Sequence, residues 1–260
     1  MSSSPFDTRN AIFLAAVCGQ TYSQFDNQDG TFVLPHGYRL IASFKASSFM
    51  GSEAWFGFIT ESADRIIIAF RGTNTRPEWI SNSIARQTPY PFLSDSGLVH
   101  SGFLDIYRTA RKSILSALRK LPEDRKLFIT GHSLGGALAT LCAVDVAANS
   151  KFKSPVVYTY ASPRVGNPKF AMRFNNLLSG RHRIYNNNDL VPGLPPLVYR
   201  SPKTDRTYFY VHVKKGFELS FQNGSVSANH SLPSYFDQLA KLNPAYTREM
   251  CSRNPGFCPV

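Results

Sequence analysis

Between Leu127 and Ala148 the chain runs from an apolar stretch, Leu127-Phe128-Ile129, through Gly131-His132-Ser133-Leu134-Gly135-Gly136 into an Ala/Leu-rich segment. A strand, a glycine-flanked serine and a helix in immediate succession constrain the backbone severely. The chain must reverse within a few residues, which drives the serine into an unusual conformation. The glycines two residues to either side let strand and helix approach without Cβ clashes. The hydroxyl is thereby lifted to the C-terminal edge of a sheet, and the N-terminus of the next helix favours negative charge developing beside it.

The flanking pattern supplies the rest of such a sheet. Arg39–Phe44, Ala54–Thr60 and Arg65–Phe70 read as strands, the last a buried one. Phe103, Ile106, Tyr107, Ala110, Ile114, Leu118 and Leu121 share one face of a helix that Pro122 closes. Lys126–Thr130 is a strand, Leu134–Ala148 a helix, Pro155–Ala161 a strand, 168–178 a helix and Arg183–Asn186 a short strand. This alternation predicts an α/β fold with a mostly parallel central sheet and helices on both faces. Thr207–Val213 and Phe217–Phe221, joined through Lys214-Lys215-Gly216, are predicted to form a β-hairpin. A last helix is expected over 232–241 and an irregular tail over 243–260. No linker divides the chain, so residues 1–260 are expected to form one domain.

At 260 residues with 43% hydrophobic and 18% charged residues, the chain can bury a sizeable core. The net charge of +12 is scattered in pairs such as Arg111-Lys112 and Lys214-Lys215, with no long basic run, which argues against a nucleic-acid partner. No apolar stretch approaches the length of a membrane span. The run Ala11–Cys18 follows Pro5 and Asp7 and belongs to a first helix over 5–23, with Ser4-Pro5-Phe6-Asp7 as its capping box. Cys142 reads as a small apolar residue in a buried helix. Cys251 and Cys258 bracket a segment containing Pro255-Gly256 and suit either a local disulfide or two free thiols. No zinc-ligand spacing, phosphate loop or dinucleotide motif occurs, so neither metal nor cofactor is expected.

A serine nucleophile needs a base, an acid and an oxyanion site. Of the histidines after the elbow helix, His182 precedes the best acid and His212 lies within a predicted strand. His230, in a loop before the last helix, is the preferred base. Asp189 directly follows the strand containing Ile184 and Tyr185 and thus reaches the same sheet edge as Ser133, whereas Asp145 points away along the elbow helix. The oxyanion donors are expected from the N–H of Leu134 and from Thr73, after Gly72 at the end of an earlier strand. His100 reads as structural. Arg71 and Arg164 are expected in buried ion pairs, and Phe49, Met50 and Trp55 in packing.

Phe70-Arg71-Gly72-Thr73, Val99-His100-Ser101-Gly102-Phe103, Gly131–Gly136, Ala161-Ser162-Pro163-Arg164-Val165-Gly166-Asn167 and Asn188-Asp189-Leu190-Val191-Pro192, in that order, resemble the class 3 lipases, relatives of filamentous-fungal triacylglycerol lipases. The resemblance runs from about residue 9 to 241. It implies an α/β-hydrolase fold, Ser133 as nucleophile, Asp189 as acid, His230 as base, and Thr73 and Leu134 as the oxyanion hole. The implied activity is carboxylic ester hydrolysis on lipid esters at a lipid–water interface, triacylglycerol first. Phospholipase A1-type or feruloyl-type hydrolysis is the near alternative, and a lipase-like binding protein with a decayed site is the rival from another class. Secreted members carry leaders and disulfides; this chain shows no clear leader. Thr75-Arg76-Pro77-Glu78 fits a capping box, followed by Trp79, Ile80 and Ile84. The expectation for 75–84 is a short amphipathic helix. It either covers the site as a lid and meets the lipid, as in many members, or packs permanently against the body.

Overall fold

The computed structural model of the chain describes residues 5–47, 53–73, 85–202 and 205–259. Its centre is a seven-stranded sheet of β1 (Arg39–Ser47), β2 (Glu53–Glu61), β3 (Arg65–Phe70), β6 (Lys126–His132), β7 (Val156–Tyr160), β8 (Arg181–Asn186) and β11 (Gly216–Leu219), in that spatial order. β1, β2 and β3 run antiparallel; from β3 to β11 all neighbours are parallel. Short two-stranded ribbons form between β4 (Gln87–Pro89) and β5 (Leu98–His100), and between β9 (Val198–Arg200) and β10 (Thr207–Phe209).

The period-two alternation of β3 divides the interior. Ile66, Ile68 and Phe70 face a core shared with α2 (Ser101–Arg119), α3 (Leu134–Asn149) and α4 (Pro168–Leu177). Ile67 and Ala69 face a second core shared with α1 (Thr8–Asp26), α6 (Leu232–Ala240) and α7 (Pro244–Arg253). The three consecutive isoleucines are fully buried, each stabilising the fold by about 2 kcal/mol relative to exposure. α2 is amphipathic and buries Phe103, Ile106, Tyr107, Ala110, Ile114 and Leu118. α3 is apolar all round, and every residue from Leu134 to Ala147 is buried. Its one acid, Asp145, is held by two bonds from Arg111 (2.6 and 3.0 Å), by the Tyr107 hydroxyl (2.7 Å) and by Asn149 Nδ2 (2.8 Å).

The apolar run Ala11–Cys18 is wholly buried within α1. The helix begins later than the sequence suggests. Asp7 is its N-cap, accepting from Asn10 N–H at 3.1 Å, because a carboxylate at that position takes both the backbone and the side-chain donors of Asn10. Ser4 lies outside the described residues. Among the described residues no helix is long and apolar enough to cross a membrane.

Two expectations about the C-terminal third are overturned. Thr207–Val213 and Phe217–Phe221 do not pair with each other. β10 pairs antiparallel with β9, burying Tyr208 in a small cluster with Ala85 and Tyr210. His212 lies beyond that strand. β11 instead adds in parallel to the open edge of β8, which buries Leu219 in the second core, close to Phe221. The two segments bury their aromatics in different places, and the unpaired edge of β8 supplies the stronger partner. The tail is not irregular either. Asn243 caps α7 by accepting from Tyr246 N–H at 3.2 Å, Pro244 occupies its first turn, and Cys251 and Cys258 form a disulfide. The bridged segment buries Phe257 against Phe13, and Gln20 Nε2 donates to the carbonyls of Gly256 (3.0 Å) and Phe257 (2.9 Å).

Candidate active site

β6 enters the turn at Ser133 with its Gly131 opposite Phe70 of β3 and its His132 opposite Tyr160 of β7. Ser133 has φ 57° and ψ −125°, the strained turn expected of a serine between strand and helix. Its N–H is fixed by the carbonyl of Tyr160 at 2.9 Å. Gly135 is needed for close approach: a Cβ there would lie 2.8 Å from the carbonyl carbon of Phe70. The elbow and the end of β3 are therefore in direct contact, which brings the Arg71-Gly72-Thr73 loop beside the serine.

His230 Nε2 lies 2.8 Å from Ser133 Oγ, and its Nδ1 lies 2.8 Å from Asp189 Oδ2. The Asp189 carboxylate is completely buried and the imidazole is 15% exposed, so only the imidazole of this pair keeps contact with solvent. Asp189 Oδ1 accepts from Val191 N–H at 2.9 Å, and Oδ2 also accepts from the Tyr235 hydroxyl at 2.8 Å. Each such bond fixes the orientation of the carboxylate towards the imidazole. His230 is the last residue of a short helix, α5 (Val226–His230), and Ser231 then caps α6, so the candidate base does not sit in an open loop as the sequence suggests.

Amide side chains stitch the segments around Asp189 and His230 together. Asn229 Nδ2 donates to the carbonyl of Asn188 (3.2 Å) and to Gln222 Oε1 (2.7 Å), while Asn186 Nδ2 donates to the carbonyl of Asn229 (3.2 Å). Asn186 N–H in turn bonds the Tyr235 hydroxyl at 2.8 Å. His132, beside the nucleophile, places Nδ1 at 2.7 Å from the Tyr22 hydroxyl and Nε2 at 2.8 Å from the His230 carbonyl. Burial and the neighbouring His230 hold its pKa well below the usual imidazole value. Tyr22, His132, Asn186, Asn229 and Tyr235 escaped sequence reasoning. Of these only His132, inside the elbow motif, and the Asn186-Asn187-Asn188 run carried a local signal.

On the oxyanion side, Leu134 opens α3, so its N–H has no acceptor within the helix. Thr73 Oγ1 is buried with no hydrogen-bond partner among the described residues. A Cβ on Gly72 would fall 2.8 Å from the carbonyl oxygen of His132 and would collide with the Tyr22 hydroxyl. Trp79, Ile80, Ile84 and the rest of the 75–84 segment lie outside the described residues, as do Phe49 and Met50.

Other sequence candidates take structural places. His100 is fully buried, accepts at Nδ1 from Phe103 N–H (3.4 Å) and stacks on that ring; burial pushes its pKa down to about 3. His212 Nε2 bonds the carbonyl of Pro192 at 2.7 Å, away from Ser133. Among the described residues neither arginine forms the expected ion pair, although the Asp26 charge acts on Arg71 from a distance. Arg71 lies between the rings of Phe25 (3.8 Å) and Phe56 (4.6 Å) and donates to the carbonyl of Trp55 at 2.9 Å. Arg164 donates to the carbonyls of Gly193 and Pro195. Aromatic faces and aligned carbonyls replace the carboxylate as counter-dipoles. Among the described residues no group of three or more His, Cys, Asp or Glu side chains could hold a metal ion.

The sequence profile of the family described as Lipase (class 3) matches residues 67–199, half of the chain, from β3 through the elbow and the acid. The chain belongs to the class 3 lipase family. A phospholipase A1-II 1 of rice, Oryza sativa subsp. indica, is 33% identical over 208 residues, covering 67% of this chain and 53% of that protein. A lipase of Rhizomucor miehei is 36% identical over 146 residues, covering 54% and 40%. The chain thus spans about half the length of the curated relatives it matches, or less. The crystal structure of a mono- and diacylglycerol lipase from Aspergillus oryzae superposes with a TM-score of 0.68 at 24% identity, covering 85% of this chain and 83% of that one; this is a likeness of fold. The class 3 lipase fold is thus the α/β-hydrolase arrangement expected from the motif order.

Proposed function

We propose that this chain is a serine carboxylic ester hydrolase acting on lipid esters, with acylglycerols as the first substrate class. The observation that carries the reading is the line Ser133 Oγ–His230 Nε2–His230 Nδ1–Asp189 Oδ2, with both links at 2.8 Å. His230 removes the proton of Ser133 as Oγ attacks the ester carbonyl. The carbonyl electron pair moves onto oxygen, where the Leu134 N–H and the Thr73 donors stabilise it. Collapse of the tetrahedral intermediate expels the alcohol, which takes the proton back from His230. Water, deprotonated by the same imidazole, then attacks the acyl-enzyme, and the carboxylic acid leaves as Ser133 Oγ recovers its proton. Asp189 stays ionised throughout and stabilises the imidazolium. The preference for lipids rests on the family and on Leu190, which follows Asp189 in the chain and is 60% exposed.

A second reading, phospholipase A1-type hydrolysis, is favoured by the rice relative's name. Rates on emulsified triacylglycerol, phosphatidylcholine vesicles, a feruloyl ester and a soluble p-nitrophenyl ester separate the alternatives. The leading reading expects the highest rate on triacylglycerol. A fluorophosphonate probe should label Ser133; an unlabelled chain that nevertheless binds lipid would mark a decayed site and overturn the enzymatic reading.

A further inference from the structure

The oxyanion loop and the base are joined by a route that does not pass through the nucleophile. Tyr22, on α1, sets its hydroxyl directly against Gly72, where a Cβ would collide with it. Its hydroxyl lies 2.7 Å from His132 Nδ1, and His132 Nε2 lies 2.8 Å from the carbonyl oxygen of His230. A carbonyl only accepts, so Nε2 carries the proton. Nδ1 is then an acceptor, and Tyr22 donates to it. Both donors point one way: Tyr22 O–H to Nδ1, and Nε2–H to the His230 carbonyl. Bonds aligned in this sense polarise and strengthen one another in a buried setting.

We propose that Tyr22 and His132 are positioning residues that fix the His230 backbone relative to the oxyanion loop, so that base and oxyanion donors meet the same reacting ester. This rests on the ester-hydrolase reading above. The Asp189–His230 bond orients the imidazole about its own axis, but it leaves the height of the ring over Ser133 to the backbone that carries it. The backbone of His230 is held from the serine side by His132. The two imidazoles lie 4.9 Å apart between centroids, so a charged His132 would oppose formation of the His230 imidazolium. Burial beside His230 keeps His132 neutral, and the proton taken from Ser133 stays on His230.

The alternative is that Tyr22 and His132 only fill space under the elbow. Four forms of the full chain separate the two: Tyr22→Phe, His132→Leu, the double variant, and His132→Gln, whose amide keeps one donor and one acceptor. Each is compared with wild type on a soluble p-nitrophenyl ester, with thermal unfolding as the check on folding. Positioning predicts a fall in kcat of about tenfold or more for Tyr22→Phe and His132→Leu with KM little changed. It also predicts a double variant no worse than the poorer single one and recovery of most of the loss in His132→Gln. Nitrogen-15 NMR of labelled histidine reads the same idea without substrate: His132 should be the Nε2–H tautomer, and Tyr22→Phe should shift its Nδ1 resonance. A His132 found as the Nδ1–H tautomer overturns the proposal, as do variants that lose stability yet keep kcat, or Leu and Gln variants equally impaired. A wild-type chain inactive on every ester would sink the functional reading and this proposal together, whereas an active wild type with unimpaired variants sinks this one alone.

Discussion

The hydroxyl of Tyr235 bridges Asp189 and the end of β8: it accepts from the N–H of Asn186 and donates to Asp189 Oδ2, both at 2.8 Å. Burial and the Asp189 charge raise the phenol's pKa, so it remains a donor at any working pH. Tyr235→Phe should lower kcat by roughly tenfold, the effect of one lost bond to a buried charge. Asp189→Asn, which offers the imidazole the wrong partner, should cost on the order of 10⁴-fold. Steady-state rates on a soluble ester check both; equal losses in the two variants would contradict the division of roles.

The backbone strain at Ser133 predicts a separation of stability from activity. Ser133→Ala and Ser133→Gly should both fall below about a thousandth of wild-type activity. Only glycine adopts φ 57°, ψ −125° without strain, so Ser133→Gly should melt a few degrees above Ser133→Ala, for a difference of about 1 kcal/mol. Equal melting temperatures would mean that the turn is unstrained.

His100 should make the fold sensitive to acid. Its folded pKa is about 3, against about 6.5 in the unfolded chain. Between these values the unfolded state holds a proton that the folded state lacks, so stability is intact above about pH 6.5 and declines as pH falls. The slope for this one group is up to ~1.4 kcal/mol per pH unit. His100→Asn keeps a cap acceptor for Phe103 N–H and removes the titration. Urea unfolding between about pH 6 and pH 4 should give a plot of stability against pH flatter by about one proton; an unchanged slope would refute the assignment.

Arg111 and Asp145 offer a control away from the reaction. Asp145 is fully buried and Arg111 is its sole ion-pair partner among the described residues. Arg111→Ala should therefore cost about 3–5 kcal/mol by stranding a buried carboxylate, while kcat of the folded fraction stays unchanged. A loss of kcat without loss of stability would place this pair in the working site.

What the sequence discloses follows from where each constraint acts. The elbow was legible because its constraint is local: glycine spacing, the preceding strand and the following helix all lie within a few residues. Asp189 and His230 were legible from chain order and element ends, and the structure brings both to Ser133. Tyr22 and His132 are 110 residues apart and Tyr235 is 46 from Asp189, so their meaning arises only when distant elements pack. Phe217–Phe221 does not form the predicted hairpin because a five-residue run with phenylalanine at each end suits a hairpin and a parallel edge equally. α7 was overlooked despite Asn243 and Pro244, a cap and first-turn pair that marks a helix start.

The C-terminal clasp should matter for stability. Disrupting the Cys251–Cys258 bridge by Cys251→Ser with Cys258→Ser frees a short loop whose Phe257 packs on α1. The loss expected from chain entropy is roughly 2 kcal/mol. Thermal unfolding with and without reductant should reproduce it in wild type but not in the double serine variant.

β3 and β6 pair without a break from Arg65–Lys126 to Phe70–Gly131. The placement of the loop after Phe70 relative to Ser133 is thus counted out in residues. One residue inserted into either strand would turn its side chains to the opposite face and slide Gly72 off Ser133. Length changes among descendants of this chain are therefore admissible only outside these two paired strands and the turns that follow them. Lineages that diverge in substrate should differ there in length while the span from Arg65 to Thr73 and that from Lys126 to Gly136 stay free of gaps.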